Sequence, residues 1–375
     1  MSTASPKIHK QDLLPQHRRC WGSFGDAPHC HTMIPIHNIF IVGFIMGASV
    51  LLYVSWHLKL QQNVQKNMVR MSQVEDEATL DDPRPFLNPG IIFLETSDNV
   101  ELKPLVMCSV ESTARQNPDK PIYFFMKGFS GNLSQYPEPK YRLIPLLSSM
   151  KNVVLLPLNA TKLFEDTPLK FWYQKVIPKK ERFWLHVLAD GCRVAMLWKY
   201  GGIYLDSDII SMQSLPFGNF TSAQLSDSIS NGAMGFYHRH HPFLWNCMKD
   251  FVANYNAYIW GQQGPKLITR VLKRWCQMDK IIAFIGKECN GISLWNIERF
   301  YAIPCPAWEK YYAPWKKDEE RIFSTSYGAH VWSFMNSNKK KNVIVGSGSL
   351  IEHFFQLYCP TTYRYIIELN NNSAI

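Results

Sequence analysis

The chain has 375 residues, of which 46% are hydrophobic and 14% aromatic, and this composition excludes a largely disordered protein. The formal net charge is +10, but the basic residues are dispersed and no base-reading motif accompanies them, so we exclude a nucleic-acid-binding protein. The length suits one large α/β domain with additional segments.

The first predicted element is a membrane-spanning helix at residues 39–56. This run has no charged residue, and as a helix it would be about 27 Å long, close to the roughly 30 Å hydrocarbon core of a bilayer. A buried core helix and a cleaved signal peptide are the alternatives, but the 38 preceding residues are too many for a usual signal peptide. We therefore interpret residues 1–38 as a cytosolic tail and residues 39–56 as a signal anchor.

The sequons decide the predicted orientation, because basic residues lie on both sides of the span. All four Asn-x-Ser/Thr sequons follow the span, as expected if that part faces the secretory lumen: Asn132, Asn159, Asn219 and Asn371. The chain is thus predicted to be a single-pass type II membrane protein. Residues 57–89, with mixed charges and several prolines, are predicted to form a luminal stem.

Residues 90–375 are predicted to form the folded domain. Short apolar runs at residues 91–94, 122–125 and 153–156 are typical of buried parallel strands, and residues 105–116 between two of them can form a helix. This alternation predicts an α/β fold with a nucleotide-binding sheet.

A pair of acidic residues follows the next predicted strand. Gly201 and Gly202 break the preceding helix, and residues 203–205 have the β-branched and aromatic composition of a buried strand. Asp206 and Asp208 then stand at the carboxyl end of that strand, where open α/β sheets bind their ligands. A divalent metal that holds a diphosphate needs such hard oxygen ligands. An isolated Asp-x-Asp is more often a turn, so the interpretation depends on the surrounding residues.

The helix before the acidic pair supplies two more charged residues. Asp190 and Arg193 lie three positions apart within residues 188–198, so they share one helix face and can both point towards a ligand. The order of helix, glycine turn, strand and acidic pair favours a binding site over a surface turn.

Later segments are predicted to build the acceptor-binding half, from a strand at residues 232–236 and helices at 242–254 and 265–278. The Gln263 amide either contacts a sugar or bonds its own backbone. His330 is a candidate ligand for metal or phosphate, and Trp332 is a candidate lid over a nucleotide. A core histidine beside a packed indole is the alternative.

Seven of the nine cysteines follow the predicted span, where an oxidising lumen favours disulfides. An odd number cannot pair completely, so at least one thiol is predicted to be free or intermolecular, and Cys192 is our candidate. The spacing does not suit a structural zinc site.

Taken together, these residues resemble the Asp-x-Asp signature of retaining, sugar-nucleotide-dependent α-1,4-glycosyltransferases. The resemblance rests on Asp190, Arg193, Gly201, Gly202, Tyr204, Asp206 and Asp208. Further similar segments are residues 93–97, 107–112, 125–128, 166–169, 259–265, 330–332 and 358–362. One departure is the segment 189–193, which reads Ala-Asp-Gly-Cys-Arg where the family usually has Ser-Asp-Ala-Ser-Arg. The two charged positions of this segment, Asp190 and Arg193, agree with the family pattern.

The resemblance implies a GT-A-type fold with a mainly parallel central sheet, a Mn²⁺ cofactor, a UDP-sugar donor and residence in the Golgi membrane with the catalytic domain in the lumen. It assigns Asp206 and Asp208 to the metal and to the ribose-diphosphate end of the donor, with His330 as a further metal ligand. Asp190 and Arg193 are assigned to the donor sugar. Binding of the donor by Tyr204 and Trp332, and a catalytic contact by Gln263, complete the expected site.

Within the family, residues 182–186, 240–245, 311–315 and 347–352 resemble members that transfer N-acetylglucosamine more than those that transfer galactose. The prediction is transfer from UDP-N-acetylglucosamine, in α-1,4 linkage, to a terminal β-galactose of mucin-type O-glycans. Transfer of galactose from UDP-galactose to lactosylceramide or another β-galactoside is the alternative. A non-catalytic luminal carbohydrate-binding protein and a metallohydrolase are more distant alternatives. The sequence leaves a homodimer open.

Overall fold

The computed structural model describes residues 89–137 and 140–372, and before them residue 55 alone. Apart from that one residue, the predicted membrane anchor lies outside the described residues, as do the cytosolic tail and all but the last residue of the stem. Among the helices that are described, none combines the length and the hydropathy needed to cross a bilayer. The anchor and the proposed domain boundaries therefore remain predictions.

In the part of the chain that the structure describes, ten strands form a large sheet and a small one. The eight-stranded sheet has the order β3-β2-β1-β4-β7-β6-β9-β8, and β10 pairs with β5 in a separate two-stranded sheet. The strands are β1 Ile91–Glu95, β2 Ile122–Met126, β3 Val153–Pro157, β4 Gly202–Leu205, β5 Ile209–Ser211, β6 Phe220–Leu225, β7 Ser228–Phe236, β8 Glu288–Cys289, β9 Ile292–Trp295 and β10 Gly328–His330.

Within residues 89–137 and 140–372, ten α-helices accompany the strands. They are α1 Pro104–Gln116, α2 Leu143–Ser148, α3 Ala160–Phe164, α4 Leu169–Lys175, α5 Trp184–Tyr200, α6 Pro242–Ala253, α7 Pro265–Trp275, α8 Glu298–Tyr301, α9 Leu350–Tyr358 and α10 Pro360–Asn372. Short 3₁₀ helices lie at Leu133–Gln135, Pro178–Lys180, Ile281–Phe284, Cys305–Tyr312 and Lys317–Phe323. Helices α1, α6 and α7 each begin with a proline, whose fixed φ suits the first turn.

The mixed α/β architecture with a large sheet agrees with the prediction from alternating apolar runs. Side chains of a strand alternate between its two faces, so β1 places Ile91 and Phe93 in one core and Ile92 and Leu94 in the other. The first core also contains residues of α1, α2, α9 and α10, and the second contains residues of α3 to α7. The continuous apolar composition of these strands is explained by burial on both faces.

The sheet is less parallel than expected. Four of its neighbouring strand pairs are parallel and three are antiparallel. The half from β3 to β4 is entirely parallel, as predicted, whereas β7 runs antiparallel to both β4 and β6. Only residues 226 and 227 separate β6 from β7, and so short a connection can join only antiparallel strands.

A glycine turn carries the chain from α5 directly into β4. Gly201 and Gly202 have φ of 70° and 96°, in the region that residues with a Cβ rarely adopt. An added Cβ at Gly202 would also lie 2.3 Å from the carbonyl oxygen of Gly90, so the two segments pack backbone against backbone. This turn fixes the position of α5 relative to the end of β4.

Two disulfides are present among the described cysteines, Cys108–Cys359 and Cys276–Cys289. Cys192, Cys247 and Cys305 are free, and Cys192 is buried. The prediction of an unpaired Cys192 is therefore confirmed.

Candidate functional site

The candidate site lies where β4 ends, between helix α5 and the two-stranded sheet. Asp206 follows the last residue of β4, and Asp208 precedes β5. In the small sheet His330 is directly opposite Ile209, which brings its ring beside Asp208. The backbone N–H of Val331 donates to the carbonyl oxygen of Asp208 at 2.9 Å and fixes this approach.

Asp206, Asp208 and His330 form a group of potential metal ligands. One ligand atom from each lies within 4.8 Å of the others. The Nε2 atom of His330 is 3.3 Å from Asp208 Oδ1 and 3.7 Å from Asp206 Oδ2. Two carboxylates and an imidazole fit a divalent cation of the Mn²⁺ or Mg²⁺ type better than a soft, thiolate-binding metal.

Arg193 pairs directly with Asp206. Its Nη1 atom is 2.7 Å from Asp206 Oδ1, and the same nitrogen donates to the carbonyl oxygen of Asn231 at 3.1 Å. The hydroxyl of Tyr204 also donates to Asp206 Oδ1 at 2.7 Å, and the guanidinium lies over the Tyr204 ring. Burial alone would raise the pKa of Asp206, but Arg193, His330 and Tyr204 outweigh it and lower this pKa to about 2. Asp206 is therefore ionised at neutral pH.

Asp190 lies on the same face of α5 as Arg193, one turn earlier. Asn231 Nδ2 donates to Asp190 Oδ1 at 2.6 Å, and Arg193 Nη2 is 3.5 Å from the same oxygen. Burial raises the pKa of Asp190 to about 6, against the opposing effects of Arg193 and Asn231. The predicted pairing of Asp190 and Arg193 on one helix face is thus present in the structure.

His330 is oriented by the backbone that follows its strand. The backbone N–H of Trp332 donates to His330 Nδ1 at 3.3 Å, which leaves Nε2 facing the two carboxylates. Burial would lower the pKa of His330, but Asp208 and Asp206 outweigh it and raise this pKa above its usual value. The Trp332 ring is buried against Tyr301 and His330, its indole N–H donates to Ile303, and its φ is 59°. Its role in donor binding remains a prediction.

Gln263 is buried, and its amide bonds backbone groups of the last turn of α6 and of the loop that follows it. Nε2 donates to the carbonyl oxygens of Phe251 and Asn254, and Oε1 accepts from the backbone N–H of Asn256. This geometry supports the alternative in which Gln263 shapes the loop beside the site. A direct sugar contact by this amide is still untested.

Two residues of the site were not predicted. Asn231 holds Asp190, and an added Cβ at Gly232 would lie 2.5 Å from Asp206 Oδ2. Both belong to β7, the neighbour of β4. A glycine inside a strand is a known sign of close approach, and this signal in the predicted strand 232–236 could have indicated Gly232. The amide of Asn231 has no comparable sequence signal.

A surface cleft of about 580 Å³ lies elsewhere, lined by residues of α6 and α7, including Asp250 and Arg274. It contains none of the ligand atoms described above. The chemistry of the donor atoms, and not cavity size, identifies the site at the end of β4.

Comparison with known families divides the chain into two matching regions. Residues 104–229 match a family described as a glycosyltransferase sugar-binding region containing a DXD motif. Residues 236–366 match a family described as the α-1,4-glycosyltransferase conserved region. The first region contains Asp190, Arg193, Asp206 and Asp208, and the second contains His330.

Curated relatives match most of the chain. Human α-1,4-N-acetylglucosaminyltransferase is 45% identical over 279 residues, covering 74% of this chain and 81% of the relative. Human lactosylceramide 4-α-galactosyltransferase is 37% identical over 334 residues, covering 87% and 92% respectively. The mouse lactosylceramide 4-α-galactosyltransferase is 40% identical over 283 residues, covering 75% and 77%.

Proposed function

The chain belongs to the α-1,4-glycosyltransferase family and is a glycosyltransferase with an Asp-x-Asp motif. From this premise we propose that it transfers N-acetylglucosamine from UDP-N-acetylglucosamine, in α-1,4 linkage, to the terminal β-galactose of O-glycans. The observation that carries the proposal is the convergence of three potential metal ligands with the Asp190–Arg193 pair at the end of β4.

The family implies a nucleotide-sugar donor and a divalent metal, and we propose Mn²⁺ as that metal. Asp206, Asp208 and His330 would hold it, because they offer hard oxygen and imidazole donors within 4.8 Å of one another. When bound, the cation neutralises negative charge on the departing UDP. Arg193 holds Asp206 ionised and in place, so that the carboxylate is ready to act as a ligand.

We assign Asp190 to binding of the donor sugar. Asn231 and Arg193 fix its Oδ1 atom, while burial leaves the group with a pKa of about 6. The proposed stereochemical course is retention by departure of UDP and attack of the acceptor hydroxyl on the same face of the sugar. In this course the departing UDP oxygen takes the proton of the acceptor 4-hydroxyl, and no enzyme carboxylate forms a bond to the sugar.

The choice of UDP-N-acetylglucosamine as donor rests on the sequence identity to the relatives. Identity to the human N-acetylglucosaminyltransferase is 45%, against 37% for the human galactosyltransferase. The names of both relatives specify an α linkage to position 4, so galactose transfer from UDP-galactose is the second candidate. We further propose a Golgi location as a type II membrane protein, which the four sequons after the predicted anchor support.

A donor-competition assay tests this proposal. The purified full-length chain is incubated with Mn²⁺, a β-galactoside acceptor and equal amounts of UDP-N-acetylglucosamine and UDP-galactose, and the product is identified by mass spectrometry. We expect an α-1,4-linked N-acetylglucosamine product. A product containing only galactose would replace the proposed donor by the second candidate. Donor cleavage at the same rate with and without acceptor would indicate a hydrolase and reject transfer.

A further inference from the structure

An aromatic cluster lies beside the acidic site. Trp260 stacks on Phe334 with ring centroids 4.2 Å apart and planes inclined by 15°. The His186 ring packs edge to face against each of these two rings, with a distance of 4.9 Å between ring centroids in both cases. We call His186, Trp260 and Phe334 the aromatic platform. The Phe183 ring packs edge to face against Trp260, with ring centroids 5.0 Å apart.

His186 and Trp260 connect the platform to Asp190. His186 precedes Asp190 by four residues on α5, so the two share one helix face. Trp260 lies four residues before Gly264, where an added Cβ would be 2.8 Å from Asp190 Oδ2. Two members of the platform are thus connected to segments that flank the Asp190 carboxylate.

Phe334, in the segment that follows β10, connects the platform to Asp208. Phe334 follows Ser333, whose backbone N–H donates to Asp208 Oδ2 at 2.8 Å. The platform is therefore connected to the segments that contact Asp190 and Asp208. A ligand on the platform would be within reach of a donor held by Asp190, Asp206 and Asp208.

The exposure of these rings is not explained by core packing. Trp260 is 45% exposed and Phe334 is 44% exposed, although both are large and aromatic. Ile259 and Met335, the neighbours of these rings along the chain, are also exposed. A contiguous apolar surface next to a buried charged site is typical of a binding site.

We infer that the aromatic platform binds the terminal β-galactose of the acceptor. This inference rests on the proposed function, which requires such an acceptor. The C–H groups at C3, C4 and C5 of a β-galactoside form one apolar face, which suits stacking on an aromatic ring. The axial 4-hydroxyl projects from the opposite face, so stacking leaves the reacting oxygen uncovered.

His186 adds a polar group to this surface. Burial and the nearby Arg193 lower its pKa, while Asp206 and Asp208 oppose them, and the net pKa is below the usual value. A neutral imidazole offers one N–H donor and one acceptor nitrogen. These two groups suit the hydroxyls at the edge of a stacked pyranose, and they would orient the sugar on the platform.

Direct binding of methyl β-D-galactoside to the full-length chain tests the inference. We expect saturation-transfer NMR to show the strongest signals at H3, H4 and H5 of the sugar. Trp260→Leu and Phe334→Leu should each weaken galactoside binding about tenfold, which is about 1.4 kcal/mol. Affinity for UDP, measured in the same samples, should stay at the level of the unmodified chain.

Phe217→Leu is the matched control. Phe217 is 37% exposed, and its ring contacts the Tyr237 ring. The Lys120 ammonium also lies over the Phe217 ring. Because Lys120 precedes β2, Phe217 lies at the edge of the sheet opposite to the site. Galactoside binding should be unchanged in this variant.

The outcomes separate the inference from the proposed function. Absence of galactoside binding by the unmodified chain, or equal binding by Trp260→Leu, Phe334→Leu and Phe217→Leu, overturns the inference. Loss of UDP affinity together with galactoside affinity also overturns it, because the rings would then support the whole site. Galactoside binding at the platform without sugar transfer upholds the inference and rejects the proposed function.

Discussion

Arg193 is the residue around which the charged site is organised. Its guanidinium contacts Asp206 and Asn231 directly, approaches Asp190 and covers the Tyr204 ring. A planar guanidinium can serve several oxygen atoms at once, which a lysine ammonium on a flexible stem does less well. The short spacing of Asp190, Arg193 and Asp206 along the sequence is therefore explained by a single interaction network.

Substitution of Asp208 tests the metal assignment. Asp208→Asn keeps the size of the side chain but removes the charge that faces His330 Nε2 at 3.3 Å. We expect transfer to fall by about 10² to 10³, as for other losses of electrostatic stabilisation in an active site. Titration with Mn²⁺, followed by electron paramagnetic resonance, should show weaker metal binding.

The control for this substitution is Asp119→Asn. Asp119 is exposed, precedes β2 and therefore lies at the edge of the sheet opposite to the site. We expect its transfer rate to equal that of the unmodified chain. Full transfer by Asp208→Asn would remove Asp208 from the catalytic assignment.

Residues of the site differ in how far the sequence predicts them. Asp206 and Asp208 were predictable because the glycine turn, the strand and both acids are adjacent in the chain. Asn231 and the aromatic platform were not, since these residues reach the site from a strand, a helix and two separate loops. Long-range packing, and not a local pattern, brings Trp260 and Phe334 together.

At the scale of elements, the amino terminus of helix α9 is held by several hydrogen bonds. Ser349 caps the helix by accepting from the backbone N–H of Glu352, and Glu352 accepts from the backbone N–H groups of Gly346 and Gly348. The hydroxyl of Tyr363 on α10 donates to the same carboxylate at 2.7 Å. Ser349 and Glu352 have the spacing of a capping box, but Glu352 accepts from Gly346 and Gly348, while the backbone N–H of Ser349 donates to Ser347. The Glu352 carboxylate thus joins the loop, α9 and α10.

The Glu352 carboxylate should make stability depend on pH. Burial would raise its pKa, but Tyr363 and the backbone donors outweigh it, so the pKa lies below its usual value of 4.5. A lowered pKa in the folded state stabilises the fold above pH 4.5, and the stabilisation is lost as the pH falls through the folded-state pKa. Glu352→Gln should therefore reduce the free energy of unfolding by about 1–3 kcal/mol at neutral pH, and by less in acid.

Denaturant unfolding at neutral and acidic pH measures this difference. Glu288→Gln is the control, because Glu288 is exposed on β8, and it should change stability by less than about 0.5 kcal/mol at either pH. An equal effect of Glu352→Gln at both pH values would contradict the proposed role of its charge.

Six elements were predicted to within a few residues, whereas others, including β6 and α10, were not predicted. Strands β1, β2 and β3 have continuous apolar runs, and helices α1, α6 and α7 have apolar positions at helical spacing. For these six elements the predicted and observed ends differ by at most a few residues. The sheet of β5 and β10 consists of strands of three residues each, which are too short for a periodic signal. Their pairing depends on contacts between distant parts of the chain.

At the scale of the whole molecule, the sequons test the predicted luminal orientation. Asn132 and Asn159 are exposed, and each uses its Oδ1 atom to accept from a nearby backbone N–H. A glycan attaches to Nδ2 and leaves these hydrogen bonds intact. Asn219 instead donates from Nδ2 to Gly291, so attachment there competes with a hydrogen bond.

We expect N-glycans at Asn132 and Asn159 when the full chain is expressed in a eukaryotic secretory cell, with lower occupancy at Asn219. Enzymatic deglycosylation should increase gel mobility, and Asn132→Gln and Asn159→Gln should each remove one glycan. Absence of any mobility shift would contradict the luminal orientation.

The ligand set draws on distant parts of the polypeptide, since Asp208 precedes β5 and His330 ends β10. During synthesis on the ribosome, a nascent chain that has not yet reached β10 holds two acids without the imidazole. If these residues bind the proposed cation, its binding requires that the chain has been synthesised through β10, and it is then a late step in maturation.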